Sequence, residues 1–502
     1  MSDYVIVGAG AAGCVLTRRL VEAGHSVCLI EAGALTQNNS MIDDPGGFIN
    51  LWGSALDWAL PTVPQEGMFG RSITINQGKT FGGGGSINAM MYVRCNRRDY
   101  GLLTERSGGA WTAADFAAAF AGLENYIDGP APGRNSGGLM TVRNCPDPAS
   151  HSPEFQMAAA ELGYATGHDY NGPEQMNGAG PLQFNITPDG RRHSPFRAYL
   201  QPILGNPLLT VLDRTTAQRV LFKGKRALGV EVTDASGAAS QIHAGRDVIL
   251  ALGALQTPAL LLKSGVGPAA DLTAAKVPVV ADLPAVGQNL KDHVQLPVIF
   301  RLLKDLPNPT ILTGNVLFVD LNGQGDPGTP DLQMNFTPAA PKPLMRLLPP
   351  LGGPVMIFLP ILIQPRSTGS VSLRPDGTVA LDPRYLSDPS DVALLKKAVE
   401  LARNLARSKA FSGLAGDELG PGETDLEGYI RGASSTLWHP VGTAALGQDA
   451  KTSVVGADLA VHGLTGLRVC DASVMPRTNT GNNHVPTMII AEVGAKKIMA
   501  SA

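Results

Sequence analysis

The chain has 502 residues, with 40 Lys and Arg against 43 Asp and Glu and a formal net charge of -3 at pH 7. That length holds two or three domains with substantial cores, and the near balance of charge offers no footing for nucleic acid. The 59 Gly and 38 Pro, with aromatics at only 5%, describe a loop-rich α/β protein rather than a helical bundle. Five cysteines (Cys14, Cys28, Cys95, Cys145, Cys470) are odd in number and scattered, which points to reduced thiols and away from a disulfide framework or a zinc site.

The first predicted strand, Tyr4 to Val7, runs directly into Gly8-Ala9-Gly10-Ala11-Ala12-Gly13, and a helix is expected from Ala11 to about Ala23. Gly8 permits the tight turn, Gly10 lets backbone approach a pyrophosphate, and Gly13 lets the helix pack closely on the strand. The positive end of the helix then faces the phosphates. A second strand, Val27 to Ile30, ends on Glu31, placed where an acid accepts from ribose hydroxyls, which disfavours NADP. Because the strand at Tyr4 begins almost at Met1, there is no room for a secretory leader, and a cytoplasmic protein is expected.

Four successive glycines in Gly82-Gly83-Gly84-Gly85-Ser86-Ile87-Asn88 cannot pack a core and serve backbone approach instead; the apolar run from Ala89 that follows is not that of a solvated linker. Residues 112 to 125 read as a capped helix with Phe116, Phe120 and Leu123 on one face. The β-rich runs 209 to 212 and 227 to 232 flank a hairpin signal, and Asp247 to Ala251 reads as a parallel strand. The apolar stretch from Leu347 to Ile363 is interrupted by prolines and a Gly-Gly pair, so a loop and then a buried strand are expected, with membrane contact not expected. Gly369 to Leu373 alternates as a strand, and Asp391 to Ala406 carries a core stripe at helical spacing.

Two histidines lie in loops bounded by Gly and Pro, where reactive groups are commonly displayed: His439 in Leu437 to Thr443 and His484 in Gly481 to Thr487. Beside a redox dinucleotide, one imidazole suits proton removal near neutral pH and a second can bind the same oxygen. Without a nearby carboxylate or cysteine ligand set, no metal is expected.

Together these segments resemble the glucose-methanol-choline (GMC) oxidoreductases, and the choline-dehydrogenase-like branch in particular, over nearly the whole chain. The likeness is carried by Val7 to Gly13 with Glu31-Ala32-Gly33, and by Gly82 to Asn88 with Arg94 and Asp99-Tyr100. It continues in Gly253 to Pro258, Ser264 to Pro268, Val286 to His293, and Asp471 to Pro476 before His484. The resemblance implies a Rossmann-like FAD-binding domain and a second α+β substrate domain on an antiparallel sheet. It places the first in 1–100, 205–300 and 430–502, and the second in 101–204 and 301–429.

By the same resemblance, FAD is held by Gly8, Gly10, Ala11, Ala12, Gly13, Glu31 and Ala32, by Gly82, Gly83, Gly85, Asn88 and Ala89, by Ala217, and by Asp471, Ala472, Asn483, His484, Val485 and Thr487. His439 is then the general base, His484 orients the substrate hydroxyl, and the hydride passes to flavin N5. Gly84 and Gly85 stand where the family usually has serines. Ile87 stands where some members attach the flavin through histidine, so non-covalent FAD is expected. The implied reaction is oxidation of an alcohol, with O2 or a quinone or other carrier as acceptor. The alternative is a lyase of the hydroxynitrile type that keeps FAD without cycling it.

The segment from Asp331 to Ile363 should contribute to the substrate domain and the loop over the flavin. If Leu332, Met334, Phe336 and the leucines after Pro341 face the pocket, an apolar or aromatic primary alcohol is favoured. Packing of the same side chains into the core is the other reading. Choline would require an aromatic cage and a carboxylate, which so few aromatics do not favour.

Overall fold

The computed structural model describes residues 1–501 apart from 168, 174–176, 324–328, 347 and 349. The chain opens with Ser2–Val7, whose apolar residues are covered on both faces, as parallel strands between helices require. It pairs in parallel with Val27–Ile30 on one side and with Ala239–Leu250 on the other. Leu209–Leu212 and Leu467–Val469 extend the parallel set outward. In register, Val7 lies beside Ile30 and Leu250, and Leu250 beside Val469. Gly8, Glu31, Ala251 and the approach to Asp471 therefore emerge together at the carboxyl edge of the sheet, where open α/β sheets bind ligands.

The hairpin differs from the sequence expectation. Leu209–Leu212 is a parallel neighbour of Val27–Ile30, and the hairpin partner of Arg226–Thr233 is Thr216–Lys223. That strand carries exposed Gln218 and Arg219, so it lacks the apolar run by which its neighbours are recognised.

The expected first helix spans Ala11–Glu22. The second spans Ala113–Leu123, with Thr112 and Asp115 capping each other's backbone reciprocally; Glu124–Tyr126 then departs as a strand. Pro389–Ala406 begins under an Asp388 cap with Pro389 in its first turn. Its Leu394, Leu395, Ala398, Leu401, Ala402 and Leu405 are buried against the second sheet.

That second sheet is antiparallel, in the order Ala415–Gly420, Val298–Leu302, Val355–Leu362, Leu332–Thr337, Asn315–Val319 and Gly178–Pro181. Val355–Leu362 is the buried strand expected after the Gly-Gly loop, whereas Leu347 lies outside the described residues. No helix among the described residues is long and apolar enough to cross a membrane. Val294–Gln295 joins this sheet to Ser435–Thr436, so the segments around 291–295 and 435–441 run antiparallel beside each other.

Candidate active site

A cavity of about 590 Å³ extends from the carboxyl edge of the parallel sheet to the inner face of the antiparallel one. At its first end, Gly8 has φ +103°, and a Cβ there would lie 2.5 Å from Ala251 O. Gly10 caps the helix Ala11–Glu22 without any side-chain hydrogen bond, leaving the first amides open to the cavity. The glycine-rich loop closes on this turn: a Cβ on Gly83 would sit 2.7 Å from Gly10 Cα. These approaches make a backbone cradle that side chains would fill, and it fits a pyrophosphate.

Of the residues expected at the cofactor, Gly8, Gly10, Ala11, Ala12, Glu31 and Ala32 line the cavity. So do Gly83, Gly85, Asn88, Ala89 and Ala217, and Asp471, Ala472, Asn483, His484 and Thr487. Three do not. Gly13 lies under the turn, where a Cβ would collide with Gly8 O. Gly82 ties the loops together by donating its N–H to Ala9 O at 2.7 Å. Val485 is buried in the core of the parallel-sheet domain. These three support the cradle from behind.

Glu31 accepts from Ala9 N and Gly33 N, both at 2.9 Å, so it braces the glycine turn as well as lining the cavity. Burial raises its pKa to about 7 against those two hydrogen bonds. Asp471 accepts from Ser473 N and Oγ on one oxygen and from Gly253 N and Thr257 Oγ1 on the other. With four donors on four lone pairs its carboxylate is saturated, and it joins three loops at the sheet edge. Ile87 lines the cavity with an apolar side chain.

At the far end stand both predicted histidines. His439 follows Trp438, which has φ +62° and rests on Trp52 with ring centroids 4.3 Å apart. A left-handed non-glycine residue needs surrounding support, and Asp292 supplies it. The Asp292 carboxylate accepts from Thr436 Oγ1, from Tyr385 OH at 2.6 Å and from His439 N at 2.8 Å. Burial raises the pKa of Asp292 to about 6, opposed by those donors. His484 opens the helix His484–Ala500, so the amides of its first turn also point toward this end.

The ring of His439 is oriented by a residue to which the sequence assigned no role. His293 Nε2 faces Asn479 O at 2.9 Å and must carry a hydrogen to bond it. Its Nδ1 is then an acceptor, and it lies 2.9 Å from His439 Nδ1, which must donate. Nε2 of His439 is therefore the nitrogen with the acceptor lone pair, and Asn482 Nδ2 donates to it at 3.4 Å. Burial, followed by repulsion from His293 and His484 when these are protonated, holds His439 well below its usual pKa. Burial and the nearby Arg192 guanidinium lower His484 to about 4. Both imidazoles are neutral at pH 7.

The substrate side divides the two sequence readings between core and cavity. Leu332, Met334 and Phe336 face the core, where Phe336 stacks on Phe155 at 5.1 Å. The opposite face of that strand lines the cavity with Asn335 and Thr337, while Leu344, Leu348, Ile357 and Leu359 supply the apolar wall. Phe48 and Trp52, from one short helical segment and its cap, and Trp438 from the loop before His439 add aromatic surface. The cues for the residues missed by sequence were slight: Asp292 and His293 end a quoted segment, and Asn482 is two residues from His484.

A family model described as GMC oxidoreductase matches residues 2–295, and a second with the same description matches 365–491. An alcohol dehydrogenase [acceptor] from Pseudomonas putida is 34% identical, covering 99% of this chain and 96% of that protein. An oxygen-dependent choline dehydrogenase from Brucella anthropi is 32% identical over 99% of this chain and 95% of its own length. Among solved structures, pyridoxine 4-oxidase from Mesorbium loti superposes with a TM-score of 0.92 at 29% identity, covering 100% of this chain and 99% of that one.

Proposed function

From the premise that this chain belongs to the GMC oxidoreductases and is an FAD-dependent enzyme acting on CH–OH groups, we propose that it oxidises an uncharged primary alcohol, apolar or aromatic, to the aldehyde. The observation that carries this reading is the acceptor lone pair of His439 Nε2, fixed at the cavity by the hydrogen bond from its Nδ1 to His293 and engaged there only by the long 3.4 Å contact from Asn482 Nδ2. Bound FAD supplies the acceptor for the carbinol hydride. His439 Nε2 takes the hydroxyl proton, while His484, neutral and at the same end of the cavity, holds the oxygen.

Support for the substrate class comes from the lining. Among the described residues that line the cavity there is no Lys or Arg, and the only carboxylates are Glu31 and Asp471 at the sheet edge. Phe48, Trp52, Trp58 and Trp438 offer aromatic surface that suits an apolar or aromatic body and would also face a cation. The distinction therefore rests on the counter-ion: among the described lining residues, a quaternary ammonium finds no carboxylate beside His439. The names of the relatives, an alcohol dehydrogenase and a choline dehydrogenase, support the same reaction type. O2 or a quinone or other carrier is the terminal acceptor in this reading. The same reading assigns 1–100, 205–300 and 430–502 to the FAD domain and 101–204 and 301–429 to the substrate domain.

His439→Ala tests it. Flavin content should be retained while the anaerobic rate of flavin reduction by alcohol falls by roughly a hundredfold or more. An unimpaired rate would remove His439 from the mechanism.

A further inference from the structure

The strand Leu332–Thr337 divides by side. Its even positions fill the core, while Gln333, Asn335 and Thr337 form a polar stripe on the face toward the cavity, beside apolar Ile357 and Leu359 of the next strand. Gln333 Nε2 donates to Asn335 Oδ1 at 3.0 Å and to Asn482 Oδ1 at 3.4 Å. Both asparagines thus have their oxygens engaged from behind, with their NH2 groups turned the other way. The Asn335 Nδ2 partner is Met91 Sδ at 3.8 Å, and Asn482 Nδ2 lies 4.0 Å from the same sulfur and 3.4 Å from His439 Nε2.

A thioether is a weak acceptor, so two amide donors converge on an atom that satisfies neither well. Asn335 is only 3% exposed, so its polar atoms depend on partners at the cavity wall. Asn335, Asn482, Met91 and His439 all line the cavity. An oxygen acceptor on a bound molecule, two bonds from the carbinol carbon, would complete the donor set beside a hydroxyl presented to His439.

We propose that the Asn335 and Asn482 carboxamides form a paired donor site that selects alcohols bearing an uncharged oxygen acceptor, an ether or carbonyl, close to the carbinol carbon. This inference rests on the alcohol-oxidation reading above and adds to it a chemical class. A plain hydrocarbon alcohol leaves the donors on the sulfur. An alcohol bearing a carboxylate finds no Lys or Arg among the described lining residues, so the neutral acceptor is the better match.

Matched probes separate the two claims. Tetrahydrofurfuryl alcohol and cyclopentylmethanol differ by one ring oxygen for one CH2. The wild-type enzyme should reduce its flavin with the ether alcohol roughly three- to tenfold more efficiently, the size of one neutral hydrogen bond. In Asn335→Leu, and in the milder Asn335→Ala should leucine fail to fold, that ratio should collapse toward one while flavin content is kept. Tetrahydrofuran and cyclopentane, which cannot react, should show the same preference in binding by calorimetry. Equal efficiency for the two alcohols, or a ratio that survives both variants, overturns the inference and leaves alcohol oxidation standing. Flavin reduction by neither alcohol, with tetrahydrofuran still preferred and the preference lost in the variants, overturns alcohol oxidation of these probes and supports the donor site.

Discussion

Replacing His293 with leucine removes the acceptor of the His439 Nδ1 hydrogen and retains most of the ring's volume. In the native site the two rings meet at 2.9 Å, and the direction of the bond is set by the His293 hydrogen donated to Asn479 O. Without it, His439 keeps a buried N–H with no partner, a penalty of about 1–3 kcal/mol, or moves its hydrogen to Nε2. The second outcome fills the lone pair that the reaction uses. Since each 1.36 kcal/mol is tenfold in rate, flavin reduction by alcohol should slow by roughly ten- to a hundredfold. The assay is anaerobic stopped-flow at saturating alcohol on protein of wild-type flavin content, with a thermal melt to confirm folding. A folded, flavin-loaded His293→Leu that reduces at the wild-type rate would refute the tautomer argument. His293 would then be only a packing residue.

Three further outcomes follow from the geometry. In Gly83→Ala the new methyl would lie 2.7 Å from Gly10 Cα, so the loop must retreat from the turn. FAD retention through gel filtration should fall sharply, with far-UV circular dichroism unchanged. As for pH, burial holds His439 well below 6.5, so its base form persists under mild acid and the flavin-reduction rate should stay level from neutrality through pH 6.5. A rate lost with a midpoint near or above 6.5 would contradict this. His293 and His484 stand at about 4 in the folded protein against 6.5 unfolded. The unfolded chain then binds more protons at these two positions between those values, so each contributes about 3 kcal/mol of stability that is lost as pH drops through that window. Glu31 at about 7 and Asp292 at about 6 contribute in the opposite sense. In denaturant titrations the loss on acidification should be smaller by about 3 kcal/mol in His484→Asn than in the wild type.

The opening unit was legible because every part of it is local. Strand, glycine turn, helix and acid lie within the first 31 residues, and each is dictated by sterics or periodicity at its own position. The helix at Pro389–Ala406 was legible for the same reason, through its spacing and its Asp388 cap. Thr216–Lys223 was not, since a half-exposed strand at a sheet edge lacks an apolar run. Period-two alternation in Leu332–Thr337 revealed a strand but not which face met the cavity. That was settled by Phe155, far away in sequence, stacking on Phe336.

His439 and His484 could be proposed from loop context and resemblance, whereas the His293 contact spans 146 positions. It exists only because Val294–Gln295 pairs antiparallel with Ser435–Thr436. No local rule predicts that pairing.

The central claim is that this chain removes a hydroxyl proton and a hydride from an alcohol at the His439 end of the cavity. The most direct test is to add aliphatic, benzylic, furanic and ether alcohols to the purified flavoprotein without oxygen and follow the visible flavin band. Bleaching by at least one neutral alcohol, lost in His439→Ala, is the predicted result. A flavin that stays oxidised with every neutral alcohol while the protein cleaves or rearranges a substrate without redox change would contradict the account.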